Sequence, residues 1–320
     1  MNILAVESSC DETAVAVVRD GRTVLADAIA SQVDMHTIYG LADQALEQAG
    51  VTRKDIDAVA CTYAPGLIGA VLVGVNFAKS AAYGLGVPLI PVHHVRGHIA
   101  ANYITHPDLE PPFLCLCVSG GNTLIVDVQD YTKMELLGAT RDDAAGECFD
   151  KVARVLGIGY PGGGPMDRLA QVGDEKKYQL PRAKVDGAPL DFSFSGLKTA
   201  ALNLIHNAEQ KKEPLDLPSF AASFSRAVAD ELVPRAMEAA EQCGRTKIAA
   251  AGGVAANSKI RAELERACQI SGKQLYLPKL SLCGDNGAMI GCQAYYEYLA
   301  GRRGDWSLNG YANRDISADV

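Results

Sequence analysis

Residues 3–18, with the sequence ILAVESSCDETAVAVV, place two apolar runs on either side of a short polar turn. Both runs are rich in residues that favour strands, so the stretch predicts a β-hairpin. Residues 114–128, LCLCVSGGNTLIVDV, repeat this pattern with a small polar turn that ends in threonine. The repetition indicates that the chain contains two copies of one structural unit.

Each hairpin has a downstream companion made of a buried strand, a glycine-containing turn and a helix. In the first copy these are residues 56–61, residues 64–69 and a helix through Lys79; in the second they are residues 247–251, 252–257 and an amphipathic helix at 258–268. Strands that alternate with helices favour an α/β fold. We therefore predict two facing duplicated lobes with a ligand site in the interlobe cleft.

The domain boundaries follow from this duplication. The change of copy falls at the Pro111-Pro112 pair, so we predict a first lobe at residues 1–111 and a second at 112–293. We expect the C-terminal segment, residues 294–320, to pack back on the first lobe.

The composition is that of an ordinary globular protein, with 48% hydrophobic and 21% charged residues. It excludes a disordered or fibrous chain. The 30 basic and 38 acidic residues give a net charge of −8, so the overall field does not attract RNA. Any RNA contact needs a local patch or a partner, and we expect weak, salt-sensitive RNA binding by the isolated chain.

The cysteines and the N-terminus bear on the compartment. The nine cysteines are scattered without C-x-x-C spacing, which is typical of a reducing environment. The N-terminus reaches acidic residues too early for the apolar core of a signal peptide, and no apolar run approaches ~20 residues. We expect a soluble, cytoplasmic protein with no membrane association.

The hairpin turns and the second glycine turn carry groups suited to nucleotides. Serine, threonine and glycine N–H groups in the second hairpin turn suit phosphate, and a carboxylate in the first can orient a cation. Gly252 and Gly253 let a strand-to-helix turn approach a flat ring or a ribose. One Gly-Gly turn alone is as a rule structural, but this combination is typical of the actin-like ATPase (ribonuclease H-like) superfamily.

His94 and His98 are spaced i, i+4 and share one face of a helix, where they can bind a transition metal or zinc. This spacing also arises by chance on helix surfaces, and no glutamate lies between the two as in H-E-x-x-H. A third ligand is therefore needed, and Asp285, at the start of a glycine-containing helix, is the candidate. Two histidines and one carboxylate leave positions open for substrate oxygens and suit iron or zinc.

Eight motifs, taken together and in this order, resemble the TsaD family of tRNA N6-adenosine threonylcarbamoyltransferases over nearly the whole chain. They are ESSCDET (7–13), HHVRGH (93–98), VSGGNT (118–123), DDAAGECFDKVAR (142–154), YPGG (160–163), DFSFSGLKTA (191–200), AGGVAAN (251–257) and CGDNGAM (283–289). The resemblance implies transfer of a threonylcarbamoyl group from threonylcarbamoyl-AMP to N6 of the adenosine next to the anticodon. The tRNAs concerned read codons that begin with A.

The resemblance also implies roles for individual residues. His94, His98 and Asp285 match metal ligands, one divalent ion per chain, with Fe²⁺ favoured and Zn²⁺ as the alternative. Asp11 and Glu12 match an acidic pair expected near the metal and the reacting carbonyl. The substrate-binding positions are Cys117, Val118, Ser119, Gly120, Gly121, Asp150, Gly163, Asp167 and Asn257. Asp167 falls at a ribose-binding carboxylate and Asn257 at an adenosine-side contact, and ATP or ADP could occupy the same cleft.

The implied mechanism is acyl transfer in which the metal acts as a Lewis acid while the exocyclic amine attacks and AMP leaves. The implied partners are tRNA, a shorter paralogue of the TsaB type and a small P-loop ATPase of the TsaE type. No covalent enzyme intermediate is required. Cys10 invites a nucleophile hypothesis, but a buried, small apolar cysteine is the favoured interpretation.

Residues 191–199 have two interpretations. Aromatic residues at alternating positions, Phe192 and Phe194, favour core packing, whereas Ser195 and Lys198 could face substrate or RNA. We favour the structural interpretation and leave these residues out of the catalytic set.

The chain departs from the family in two places. Asn122 stands where members usually have a histidine, and it can form hydrogen bonds but cannot carry charge. A glycine-rich Val-Pro-Glu stretch with a second histidine is also absent between residues 31–36 and 37–41. The absence is either a true deletion or a mobile loop omitted from the sequence. We favour the second, because losing a segment at the cleft edge would impair tRNA or nucleotide handling.

Three other functions compete with this prediction. A metalloprotease is disfavoured because this chain has no glutamate base between His94 and His98. A scaffold that pairs with a paralogue would be expected to lose the acidic pair and the metal ligands, and this chain has both. A sugar or acetate kinase of the same superfamily is the main alternative, because phosphate hairpins and an adenosine turn serve ATP equally well. The His-His-Asp set disfavours it, since Mg²⁺ prefers oxygen and water ligands.

Overall fold

The computed structural model describes residues 1–31, 38–183 and 185–318. The segment that the resemblance expects between residues 31–36 and 37–41 falls at residues 32–37, which lie outside the described residues. The strands are β1 Asn2–Glu7, β2 Glu12–Arg19, β3 Thr23–Ser31, β4 Ala58–Ala64, β5 Leu89–His93, β6 Phe113–Val118, β7 Thr123–Val128, β8 Met134–Ala139, β9 Lys247–Ala251 and β10 Gln274–Tyr276. The helices are α1 Ile38–Ala49, α2 Ile68–Leu85, α3 His94–Thr105, α4 Ala145–Val155, α5 Gly163–Ala170, α6 Ser195–Lys211, α7 Leu217–Gln242, α8 Ser258–Ser271 and α9 Gly287–Leu299.

Two five-stranded sheets share one topology. The first has the order β3-β2-β1-β4-β5, and the second, read from its other edge, has the order β8-β7-β6-β9-β10. In each sheet the central strand is parallel to the strand of the downstream companion, β1 to β4 and β6 to β9. The predicted duplication and the α/β fold class are therefore confirmed, and both predicted hairpins and both companion units are present.

The chain divides into two compact units. The first takes in Met1–Pro111, Val128–Glu135 and Pro278–Val320, and the second takes in Pro112–Asp127 and Leu136–Leu277. Residues 278–293, which the sequence predicts in the second lobe, belong to the first unit, because α9 packs on the first sheet. Residues 128–135, at the junction of β7 and β8, also belong to the first unit.

In the first unit, apolar residues alternate along the strands and cover both faces of the sheet. Leu4 and Val6 face a core shared with α1 and α2, whereas Ile3 and Ala5 face a core shared with α9. Side chains that point alternately to opposite faces allow one strand to serve two helical layers. The central strands β1 and β4 are buried along their length except at Asn2, so their C-terminal ends are packed on both faces.

In the second unit, one large core lies between the sheet and the helices. It contains alternating residues of β6 and a group of aromatic side chains from α4 and α7, together with the two aromatics before α6. The members with fully or nearly fully buried rings are Phe149, Phe192, Phe194, Phe220 and Phe224. Helix α7 begins where the Asp216 carboxylate accepts the Ser219 N–H, with a proline in its first turn.

Small residues allow α9 to lie directly on the first sheet. A Cβ added to Gly287 would lie 2.6 Å from the Ala16 backbone nitrogen, and one added to Gly291 would lie 2.6 Å from Cγ2 of Val18. On its other side α9 approaches α3, where a Cβ on Gly97 would lie 2.6 Å from Cδ1 of Ile290. These glycines fix the distances between α9, α3 and the strands.

Helix α2 has an unusual surface. Its 18 residues have a mean hydropathy of 1.3, which by length and composition alone is enough to cross a membrane, yet only 33% of the helix is buried. Core helices of soluble proteins pass the same length and composition test. Its exposed apolar side chains include Ile68, Val73 and Tyr83.

We predict that Gly287→Ala destabilises the protein by about 1–3 kcal/mol, because the new methyl group meets strand backbone that cannot move away as a side chain can. The matched control is Gly69→Ala in α2, where an added Cβ meets nothing within 4 Å. Urea denaturation of both variants measures the difference in free energy of unfolding. Equal stability of the two variants would contradict the close-packing argument.

Candidate metal centre

The carboxyl ends of the parallel strands β1, β4 and β5 meet at one edge of the first sheet. Glu7 ends β1, and His94 begins α3 directly after β5. Asp285 lies two residues before α9, whose start is capped by the Asn286 side chain, which accepts the Met289 N–H at 2.8 Å. The fold therefore brings residues distant in sequence to one place within the first unit.

The three predicted metal ligands are together. One ligand atom from each of His94, His98 and Asp285 lies within 4.8 Å of the others. Oδ1 of Asp285 is 3.6 Å from Nε2 of His94 and 3.3 Å from Nε2 of His98. Donor atoms bound tetrahedrally to an ion at ~2.0–2.1 Å lie about 3.3 Å apart, so these separations suit a transition metal or zinc.

The environment of the ligands also suits a metal. His98 is 2% exposed, and neither of its ring nitrogens forms a hydrogen bond of normal geometry with the described residues. A buried polar atom without such a bond is costly unless a ligand satisfies it. The donor set of two imidazoles and one carboxylate therefore fits the predicted ion.

Glu7, which the sequence analysis did not select, orients one of these ligands. The fully buried Glu7 carboxylate faces Nδ1 of His94 at 3.0 Å. It also accepts the Ser9 backbone N–H at 2.6 Å and the Thr62 hydroxyl at 2.5 Å. A proton held on Nδ1 leaves Nε2 of His94 free to bind a metal, which is the arrangement of carboxylate–histidine–metal sites.

Electrostatics agree with this assignment. Burial disfavours the charged imidazolium of His94, but the carboxylates of Glu7 and Asp285 outweigh it and raise the pKa of His94 to about 9. Burial likewise disfavours ionised Glu7, yet the neighbouring His94 charge lowers the pKa of Glu7 below its usual value. His94 and His98 lower the pKa of Asp285 in the same way, against its burial. Both carboxylates are therefore anionic at neutral pH.

The acidic pair lies next to this centre. Asp11 and Glu12 are exposed in the turn before β2 and at its first residue. Partial burial, then the charges of Asp285, Asp11 and Glu7, raise the pKa of Glu12. The Glu12 carboxylate therefore binds a proton more readily than an ordinary exposed glutamate does.

Cys10 differs from our expectation, since it is exposed rather than buried. Desolvation, together with the nearby acidic groups, raises the pKa of the Cys10 thiol. A protonated thiol is a poor nucleophile, so the chemistry still disfavours a catalytic Cys10.

The predicted substrate residues of the second unit lie at the matching edge of the second sheet. The hairpin turn 119–122 is closed by the Ser119 N–H, which donates to the Asn122 carbonyl at 2.8 Å. Gly252, at a φ of +90°, follows the parallel strand β9, and a Cβ there would lie 2.4 Å from the Val118 carbonyl oxygen. The phosphate-type turn and the adenosine-type turn are thus in contact, and both Cys117 and Val118 are buried at the end of β6.

Asp150, Asp167 and Asn257 each bond to the start of a helix in the second unit, and Gly163 is the first residue of α5. Asp150 accepts the Gly162 N–H at 2.7 Å, just before α5 begins at Gly163. Asp167 accepts the N–H and the hydroxyl of Ser258 at the start of α8. Asn257 caps the same helix by accepting the N–H groups of Lys259 and Ile260, both at 3.1 Å. The side chains of Asp150, Asp167 and Asn257 therefore have structural partners in addition to their predicted substrate roles.

The motif at residues 191–199 is mainly structural in the described residues. Phe192 and Phe194 are fully buried, as the core interpretation predicted. The Ser195 hydroxyl donates to Asp142 at 2.7 Å, and the Lys198 ammonium pairs with Asp143. These contacts hold the start of α6 to the loop before α4.

The comparisons with known proteins agree with these observations. A family model described as TsaD, tRNA N6-adenosine threonylcarbamoyltransferase, matches residues 24–292. A protein of that name from Clostridium perfringens is 50% identical over 328 aligned positions, which cover 97% of this chain and 97% of the relative. One from Clostridium botulinum is 48% identical over 330 positions, covering 98% and 97%. The aligned 97% of this chain is about 310 residues. About 18 of the 328 aligned positions therefore have a residue in the Clostridium perfringens relative and none in this chain.

Similar solved structures are more distant and bear on the fold alone. Full-length HypF in its phosphate- and nucleotide-bound form has a TM-score of 0.67 at 16% identity, covering 98% of this chain and 47% of that one. Component A of the Acidaminococcus fermentans (R)-2-hydroxyglutaryl-CoA dehydratase has a TM-score of 0.58 at 18% identity, covering 94% and 98%. These likenesses confirm the actin-like ATPase fold class.

We predict that Glu7→Gln weakens Zn²⁺ binding by about 10- to 100-fold, because it removes the charge that orients His94 while keeping the shape of the side chain. Competition with a fluorescent chelator measures the affinity. Glu47→Gln, an exposed glutamate of α1 in the same unit, is the matched control and should bind normally. Equal affinities for the two variants would refute the role of Glu7.

The raised pKa of His94 predicts a pH dependence of metal binding. Imidazole binds a metal only as the neutral base, and below pH 9 the metal-free protein holds the His94 proton. Binding therefore releases about one proton, and Zn²⁺ affinity should rise by about tenfold per pH unit between pH 6 and 8. Isothermal titration calorimetry at several pH values measures this slope, and a flat profile would contradict it.

Proposed function

The chain belongs to the TsaD family of tRNA N6-adenosine threonylcarbamoyltransferases, and we propose that it transfers the threonylcarbamoyl group at the metal centre of its first unit. Membership makes it an acyltransferase of tRNA modification. The observation that carries the proposal is the convergence of His94, His98 and Asp285 within 4.8 Å. The small-molecule kinase, our main alternative, is not favoured by the family.

We propose threonylcarbamoyl-AMP as the donor and, as the acceptor, N6 of the adenosine next to the anticodon in tRNAs that read codons beginning with A. A bond forms between this nitrogen and the carbamoyl carbon, and the bond from that carbon to the AMP phosphate oxygen breaks. AMP departs as the leaving group, and the proton of the attacking amine passes to a base. The step therefore balances without a covalent enzyme intermediate.

Residues of this chain supply the groups for the step. His94, His98 and Asp285 would hold one divalent ion, and Glu7 keeps the proton on Nδ1 of His94 so that Nε2 stays available. When bound, the ion supplies Lewis acidity toward the carbonyl or phosphate oxygens. Glu12, whose pKa is raised, is the proposed proton acceptor, with Asp11 beside it. We propose Fe²⁺ as the ion, with Zn²⁺ as the alternative, since both suit this donor set.

The second unit is proposed to bind the adenylate. The turn Cys117–Gly121 would contact its phosphate, Asp167 the ribose and Asn257 the adenosine side. Asp150 and Gly163 would make further contacts with it. Support comes from the contact between the turn after β6 and the glycine turn after β9, which places N–H groups and open backbone together. ATP or ADP is a proposed alternative occupant of this site.

We propose three partners, namely tRNA, a shorter paralogue of the TsaB type and a P-loop ATPase of the TsaE type. The exposed apolar side chains of α2 support a protein partner, because exposed apolar surface commonly marks an interface. The net charge of −8 supports an RNA surface shared with partners. A cytoplasmic location is proposed because the substrate is tRNA, and the nine free cysteines agree with it.

The test is incorporation of labelled threonine into unmodified tRNA, with the synthase, the partner proteins, ATP and bicarbonate supplied. We predict that His94→Ala and Asp285→Ala lower the rate by about 100-fold or more, because several kcal/mol of transition-state stabilisation is lost with the metal. His206→Ala, an exposed histidine of α6, is the matched control and should keep full activity.

Reactions that omit one partner at a time test the partner proposals separately. The proposal fails if partners that are active with another family member give no label with this chain. It also fails if both metal-site variants retain full activity.

A further inference from the structure

Arg96 lies between two predicted metal ligands and points away from them. On a helix, His94 and His98 are about 40° apart, whereas a residue two positions from each lies about 200° around the axis. Arg96 is nevertheless only 2% exposed. Helix α3 thus has one face for the metal and an opposite face that buries a permanent positive charge.

The guanidinium of Arg96 is almost fully used in hydrogen bonds. Its Nε and Nη2 both donate to the Ile316 carbonyl, at 2.9 and 2.6 Å. Its Nη1 donates to a Glu297 oxygen at 3.1 Å and to the Thr132 carbonyl at 3.3 Å. The planar guanidinium can donate two hydrogen bonds to one carbonyl oxygen in this way, whereas an ammonium group cannot.

Glu297 completes the charge balance on α9. It is 2% exposed and accepts hydrogen bonds from Gln293 at 2.8 Å and Arg302 at 3.2 Å, as well as from Arg96. Burying two ions carries a large desolvation penalty, which is offset only when the geometry is good and the remaining donors and acceptors form hydrogen bonds. Arg96 therefore locks α3 in one position relative to α9, the helix that follows Asp285.

The segment that supplies the Ile316 carbonyl follows the ends of the central strands. The Tyr311 N–H donates to the Tyr63 carbonyl at 2.9 Å, and the Gly66 N–H donates to the Ala312 carbonyl at 3.2 Å. The Arg314 carbonyl lies 3.1 Å from Nε2 of His93, the residue before the first ligand. Residues 311–316, here called the C-terminal strap, thus hold α3 at its start and again through Arg96.

We propose that Arg96 and the C-terminal strap form a positioning device for the metal centre. In the hydrogen bonds of the described residues, the strap meets α3 at Arg96 and at His93, the residue before α3. It thereby fixes the helix that carries His94 and His98 and so preorganises both imidazoles. This inference rests on the metal site proposed above. It assigns a function to a segment and a residue that the acyl-transfer chemistry does not itself use.

Metal titration of variants tests the device without reference to activity. Arg96→Lys keeps the charge but loses the fork, and a chain that ends at Asn313 loses the carbonyls of Arg314 and Ile316. A chain that ends at Ser317 keeps both carbonyls and is the matched control. We expect Zn²⁺ affinity to fall about tenfold for the first two and to be unchanged in the third. The Co²⁺ absorption spectrum should shift in the first two, since it reports ligand geometry.

A double-mutant cycle identifies the route of the effect. Because Arg96 and the strap act together, the variant that combines Arg96→Lys with the chain ending at Asn313 should lose no more Zn²⁺ affinity than whichever single variant binds Zn²⁺ more weakly. Additive losses would refute the shared route. Circular dichroism tests whether Arg96→Lys folds. If the folded variant binds Zn²⁺ normally and its Co²⁺ spectrum is unchanged, the proposal is wrong, even if the melting temperature of the variant falls.

The same titration separates this inference from the proposed metal site. His94→Ala should abolish specific binding, which establishes that the titration reports this centre. If the unmodified chain binds no metal, the proposed site itself fails, and the positioning role fails with it. If the unmodified chain binds and the Arg96 and strap variants bind equally well, only the positioning role fails.

Discussion

The contact between the buried Glu7 carboxylate and Nδ1 of His94 is the interaction on which the metal centre depends. A carboxylate without solvent exposure is stable only with several donors, and here a backbone N–H, a threonine hydroxyl and an imidazole supply them. Because Glu7 ends β1 and His94 follows β5, this contact requires β1, β4 and β5 to lie side by side in the first sheet. Pairing of these strands therefore also orients the ligand.

The second requirement is a close approach of helices. Asp285 reaches the histidines because α9 lies directly on β2 and against α3, and glycine at positions 287, 291 and 97 allows this spacing. The carboxylate of Asp27 in β3 also accepts the Gly287 N–H at 3.0 Å, which holds the start of α9. Burial raises the pKa of Asp27 to about 6, so this anchor carries its full charge only above that pH.

Much of this organisation could be predicted from sequence because it is local or repeated. The duplicated hairpins, the strand–glycine–helix companions and the i, i+4 histidines each leave a pattern within about 20 residues. Glu7 left no such signal, since one glutamate at the end of an apolar run resembles any strand end. The attachment of residues 278–293 to the first unit was also missed, because it depends on packing between α9 and β2. The exposure of Cys10 depends on the path of its turn, which residue type does not determine.

Anomalous diffraction from crystals of the metal-loaded protein, recorded at the absorption edge of the bound ion, tests the metal centre most directly. We expect one strong peak per chain, about 2.0–2.2 Å from Nε2 of His94, Nε2 of His98 and a carboxylate oxygen of Asp285. Nδ1 of His94 should still face Glu7. A peak at another site, or a fully loaded chain with no density among these three residues, would contradict it.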